Sequence, residues 1–172
     1  MIETARVETD GHVVRVLFVC LGNICRSPMA EGVFRHLLRQ GGLEHRIKTD
    51  SAGTHAYHVD EAPDPRAQMT LRRRGIDISD LRGRKVTPAD LEVFDYVLAM
   101  DRENLENLRA ICPPGAAGRI RLFMEYAPDR VADEVPDPYF GGAAGFDRVF
   151  QMIEGAASGL LADIRARYRV DT

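Results

Sequence analysis

The chain has 172 residues, 45% apolar and 28% charged, with a formal net charge of −3. That length suits one domain with its own core, and no apolar run approaches the roughly 20 residues of a bilayer-spanning helix, so no membrane association is expected. The slight acidic excess argues against nonspecific nucleic-acid binding. The polar start MIETARVETDGH lacks the basic and apolar regions of an export signal. Three cysteines, an odd number, make no secreted disulfide framework. A cytoplasmic location is the expectation.

Residues 1–11 are expected to form a flexible tail ahead of a single domain over 12–172. VVRVLFVC (13–20), bounded by Gly11-His12 and Gly22-Asn23, reads as a buried parallel strand. SPMAEGVFRHLLRQGG follows as a helix, with Ser27 as its expected N-cap and Pro28 at its first position. HRIKTDSAG (45–53) reads as a second strand and THAYHVDEAP as a loop. DPRAQMTLRRRGI (64–76) is a helix capped by Asp64, with Arg72, Arg73 and Arg74 on a solvated face. TPADLEVF (87–94) is a short helix, DYVLAM (95–100) a third strand and DRENLENLRAIC (101–112) a helix ended by Pro113-Pro114-Gly115. RIRLFME (119–125) is a fourth strand, 126–142 a polar loop, and Phe146 to Ile164 lie on a long amphipathic helix ending near residue 166. Alternating strands and helices predict an α/β fold: a four-stranded parallel sheet with helices on both faces. Ligands of such sheets bind at the carboxyl ends of the strands, where Cys20 is expected.

The segment Cys20-Leu21-Gly22-Asn23-Ile24-Cys25-Arg26-Ser27 carries the chemistry. A cysteine ending a buried strand is, by itself, most simply a small core residue. Its surroundings point elsewhere. A short loop at a helix N-terminus aims several N–H groups into one concavity and so favours an anion. Gly22 permits positive φ, and Asn23 tolerates it. A free cysteine with a pKa of about 8.5 is only roughly 3% thiolate at neutral pH; such a nest would raise that fraction and make Cys20 a nucleophile. Arg26 offers a planar fork for two phosphate oxygens, and Ser27 can donate its hydroxyl to the thiolate. No Gly-Lys-Ser/Thr follows, so a nucleotide-binding loop is excluded. A phenolic leaving group also needs a general acid. Asp64 opens a helix and is used in capping, whereas Asp137, before Pro138 on a loop, has its carboxylate free; Asp137 is the better candidate.

VLFVCLGNICRSPMAE, DSAGT, DPRA, FDYVLAMD and DPYF, in that order, resemble segments of the low-molecular-weight protein tyrosine phosphatase family, and the resemblance covers about residues 14–167. It implies a two-step hydrolysis of phosphotyrosine in proteins, with no metal and no cofactor, that releases inorganic phosphate. By position, Cys20 is the nucleophile and Arg26 binds the phosphoryl group. Leu21 to Ser27 form the phosphate loop, and Asp137 is the general acid. Asn23 is implied to brace the loop with Ser27 and Ser51, while Tyr57, Tyr139 and Phe140 wall an aromatic pocket. Cys25 matches a cysteine that can form a reversible disulfide with the nucleophile and protect it from over-oxidation. Leu81 stands where many members carry a histidine that supports the asparagine. Substrates would be phosphotyrosine proteins, a tyrosine kinase among them.

Other readings are weaker. Arsenate reductases share the fold and the loop but need a downstream pair of cysteines; here only Cys112 is distant. In resembling protein arginine phosphatases a threonine takes the place of Ile24. A non-enzymatic anion binder would be expected to lack Cys20 or Asp137. His55, His58, Asp60 and Glu61 form no complete metal-ligand set and read as a polar rim.

Overall fold

The structure, a computed structural model, describes residues 11–129, 132–139 and 142–170. The expected tail thus lies, apart from Gly11, outside the described residues. Strands β1 (Val14–Cys20), β2 (Ile47–Gly53), β3 (Tyr96–Ala99) and β4 (Ile120–Leu122) form one parallel sheet in the order β2-β1-β3-β4. The helices are α1 (Arg26–Gln40), α2 (Pro65–Arg72), α3 (Asp90–Val93), α4 (Arg102–Ala110) and α5 (Ala143–Tyr168).

The continuous apolar run of β1 is explained by burial on both sides. Val14, Val16, Phe18 and Cys20 face a core built with α1, α2 and α5, whereas Leu17 and Val19 face a second core under α3 and α4. Phe18 meets Phe34 and Phe123 edge-on, at 5.8 and 5.2 Å between centroids. Because β1 lies between β2 and β3, the chain leaves its carboxyl end toward one neighbour and later returns on the other side. That switch point opens a crevice at Cys20.

Several expectations are corrected. Helix α1 begins at Arg26 with Cys25 as N-cap and no side-chain cap. Ser27 is not the cap, because its hydroxyl is engaged by Cys20 and Asn23. The fourth strand stops at Leu122; residues Phe123–Tyr126 coil into a 3-10 turn that buries Phe123 and Met124. Helix α3 is shorter than expected, its start set by reciprocal hydrogen bonds between Thr87 and Asp90. Helix α2 ends at Arg72, and Gly75 turns the chain at φ +76°. Arg74 leaves the solvated face, pairing with Asp147 and lying over Phe150. Helix α5 runs to Tyr168, past the expected end.

Candidate active site

The carboxyl end of β1 runs directly into the loop Leu21–Cys25 and then α1. Asn23, not Gly22, takes the left-handed conformation, at φ +58°. Its backbone N–H points at Cys20 Sγ, 3.3 Å away. Ser27 Oγ lies 3.0 Å from the same sulfur and accepts a hydrogen bond from Asn23 Nδ2 at 2.8 Å. Ser27 Oγ also lies 3.5 Å from the Ala52 carbonyl, so its one proton can point to that oxygen or to the sulfur. Asn23 Oδ1 accepts the backbone N–H of Arg84 at 3.0 Å.

The end of β2 presses against the loop. Thr54 and His55 donate their N–H groups to the carbonyls of Cys20 and Leu21 at 2.9 and 3.0 Å. Gly53 makes this approach possible, since a Cβ there would stand 2.8 Å from Leu21 O and 3.1 Å from Asn23 N. Gly22 serves space too, with His58 beside it: a Cβ would meet His58 Cδ2 at 3.1 Å.

Arg26 is 3% exposed. Its Nη1 donates to Asp101 Oδ2 at 2.6 Å and to the Val135 carbonyl at 3.0 Å, and Nη2 lies 3.8 Å from Asp137 Oδ2. A buried guanidinium with these partners is fixed in direction. Asp101 also caps α4 through its other oxygen, which accepts Asn104 N–H at 2.8 Å.

Cys20, Leu21, Gly22, Ile24, Cys25, Arg26, Tyr57, His58, Asp137 and Tyr139 line one cleft of about 200 Å³. Tyr57 and Tyr139 are 66% and 40% exposed at its mouth. Tyr57 stacks on His55, while Tyr139 lies under the guanidinium of Arg66, which is forked onto Asp64. Asp64 accepts the Arg66 N–H as the cap of α2, as its sequence context indicates. Asp137 is not wholly free: Oδ1 accepts Tyr139 N–H at 3.0 Å, which stiffens the loop. Phe140 lies outside the described residues.

Ser51 departs from its implied place. Its hydroxyl donates to buried Glu31 at 2.8 Å, beside Thr49, instead of to Asn23. Leu81 is partly buried against the main core. Cys25 is buried, and burial, followed by the nearby charges of Asp64, Cys20 and Asp137, pushes its thiol far above the ordinary range. Cys112, partly buried, packs against the opposite core and donates to the Pro113 carbonyl. His58 pairs with Glu61 at 2.6 Å, and no group of three or more metal-ligating side chains occurs among the described residues. No described helix is long and apolar enough to cross a membrane.

A family model described as low molecular weight phosphotyrosine protein phosphatase matches residues 15–170. The chain belongs to that family. Among its relatives, a phosphatase of this name from Schizosaccharomyces pombe is 48% identical over 143 residues, covering 82% of this chain and 91% of the relative. The crystal structure of YfkJ from Bacillus subtilis superposes with a TM-score of 0.86 at 43% identity, covering 91% and 97% of the two chains. A Drosophila arginine phosphatase structure superposes at 0.80 with 34% identity, covering 91% and 99%. In this family member, Asp101, Arg84, Gly53 and the Val135 carbonyl support the site, although the sequence pattern gave them no role there. Only Asp101 carried a local signal, as the cap of α4 within FDYVLAMD.

Proposed function

We propose that the chain hydrolyses phosphotyrosine in proteins through a phosphocysteine at Cys20, with residues 12–172 as the catalytic domain and the cytoplasm as its compartment. The observation that carries this reading is one cleft holding the Cys20 sulfur between Asn23 N–H and Ser27 Oγ, with Arg26 and Asp137 in its wall.

The thiolate attacks phosphorus, and the bond to the phenolic oxygen breaks. Asp137 gives its proton to that oxygen. Arg26 and the N–H groups of the loop hold the three equatorial phosphoryl oxygens over which charge is spread in the transition state. Water then attacks the phosphocysteine and Asp137 takes its proton. The sulfur leaves as a thiolate, helped by the Ser27 hydroxyl, and inorganic phosphate departs. Side chains and water supply every proton and electron pair of this cycle. Tyr57 and Tyr139 clasp the ring, and the depth between them favours phosphotyrosine over the shorter phosphoserine. Tyrosine kinases are among the phosphoproteins this cleft would accept. Cys25 protects Cys20 by disulfide formation.

The test compares phosphotyrosine, phosphoserine and phosphoarginine peptides, with EDTA present, for wild type, Cys20→Ser and Asp137→Asn. Release from phosphotyrosine is expected. Cys20→Ser abolishes turnover but keeps phosphate binding, since its hydroxyl stays protonated. Asp137→Asn slows poor leaving groups by about 10²–10⁴-fold and activated ones much less. Steady turnover by Cys20→Ser would remove the nucleophile assignment. Preference for phosphoarginine would favour the alternative suggested by the Drosophila structure, despite Ile24 in the cleft.

A further inference from the structure

Asn23 holds a left-handed backbone that costs a non-glycine residue energy, so its surroundings must enforce it. They do so through its side chain, bonded on one side to Ser27 and on the other to Arg84 N–H. Arg84 uses both of its backbone groups here, because its carbonyl accepts Gly53 N–H at 2.8 Å. It therefore straddles the end of β2 and the phosphate loop.

What fixes Arg84 is its own side chain. Nη2 and Nε reach Asp50 Oδ2 at 2.9 and 3.2 Å. Nη1 and Nη2 reach the two oxygens of Asp90 at 2.9 and 3.2 Å. Asp50 belongs to β2, and Asp90 opens α3, where it also accepts Thr87 N–H at 2.7 Å. A planar fork between two carboxylates is a grip that an ammonium does not reproduce. Without it, the irregular segment carrying Arg84 is held by backbone pairs such as Gly53 N to Arg84 O and Val86 N to Gly53 O, and by Val86 buried in the second core.

We propose that Arg84 is a positioning residue for the reaction. Clamped by Asp50 and Asp90, it fixes the N–H that holds Asn23, and through Asn23 and Ser27 it sets the hydrogen bonds on Cys20. The proposal rests on Cys20 being the nucleophile, and it adds a residue that touches neither substrate nor sulfur. It makes the chain Asp50/Asp90–Arg84–Asn23–Ser27–Cys20 act as one unit.

The experiment uses the full chain with Arg84→Met, Arg84→Lys, Asn23→Ala and the double variant Asn23→Ala/Arg84→Met, and with Arg39→Met as a control in an exposed ion pair with Glu44. Three quantities are read: the pH profile of Cys20 carboxymethylation by iodoacetate, kcat and KM for p-nitrophenyl phosphate, and the melting temperature. Carboxymethylation needs no phosphatase activity, so failure of the proposed function is seen separately as absent turnover by wild type.

Arg84→Met is expected to move the alkylation profile to higher pH and lower kcat about tenfold with KM little changed, and Arg84→Lys to fall between it and wild type. The double variant is expected to be no worse than Asn23→Ala, because both act through one path. A melting-temperature loss with the alkylation profile and kcat of wild type would overturn the proposal, leaving Arg84 a purely structural clamp. Additive losses in the double variant would also overturn it. If Arg84→Met does not fold, Arg84→Lys and Asp90→Asn decide by the same readouts.

Discussion

Two cysteines five residues apart have opposite environments. Cys20 meets an N–H and a hydroxyl, both able to donate to a thiolate. Cys25 meets burial, two carboxylates and the Cys20 sulfur, all of which oppose a negative charge. Cys25 therefore keeps its proton across the neutral range, which leaves Cys20 as the proposed nucleophile. The proposed redox role requires Cys25 to give that proton up as its sulfur attacks. Peroxide converts the Cys20 thiolate to a sulfenic acid; the Cys25 sulfur attacks it, the S–O bond breaks, and the Cys25 proton leaves with the hydroxyl as water. Cys25→Ser is expected to lose activity irreversibly under peroxide faster than wild type, measured as the activity regained after dithiothreitol. Equal recovery of both proteins would contradict a protective Cys25.

At the scale of elements, the site is a meeting of three termini: the end of β1, the start of α1 and the end of β2. Helix α1 has no side-chain cap, so its first N–H groups stay available to an anion. The close approach of β2 depends on Gly53, whose hypothetical Cβ would press on backbone atoms that cannot rotate away. Gly53→Ala is expected to leave the far-ultraviolet circular dichroism nearly unchanged while weakening inhibition by inorganic phosphate and lowering kcat/KM by about tenfold or more. Gly118→Ala, with nothing within 4 Å of the added carbon, is the comparison and should behave as wild type. Matching kinetics for the two variants would show that the loop tolerates displacement.

For the molecule as a whole, α1 is tied to the sheet edge through a buried carboxylate. Glu31 accepts hydrogen bonds from Ser51 and Thr49, yet burial dominates and raises its pKa, with Asp50 adding to the rise. The folded state thus binds the Glu31 proton more tightly than the unfolded chain does. That stabilisation is complete below the ordinary glutamate value and is lost as pH rises through the folded value. Glu31→Gln removes the titration. Its unfolding free energy relative to wild type should rise with pH over that window, read from urea unfolding at acidic and neutral pH. A difference independent of pH would mean that Glu31 titrates alike in both states.

The reactive centre was legible wherever its signal was local. The β-branched run of β1, the glycine-asparagine turn, Arg26 and the contrast between Asp64 and Asp137 all depend on residues a few positions apart, and the chain's own covalent geometry brings those together. Local rules also misled. Ser27 satisfies every preference for an N-cap, yet Cys20 and Asn23 claim its hydroxyl once the loop closes. Residues 123–125 have strand composition, yet Phe123 is buried by turning out of the sheet. The sequence by itself determined the order of elements and the short loop from Cys20 to Arg26 between β1 and α1, because these follow from hydrogen-bonding and steric preferences within single segments. Only the tertiary structure decided what holds them. Asp101 and Val135 reach Arg26 across 75 and 109 residues, and Arg84 reaches Asn23 across 61. Those pairings arise where parallel strands end side by side, and the crossover geometry that aligns the ends leaves no mark on any one segment.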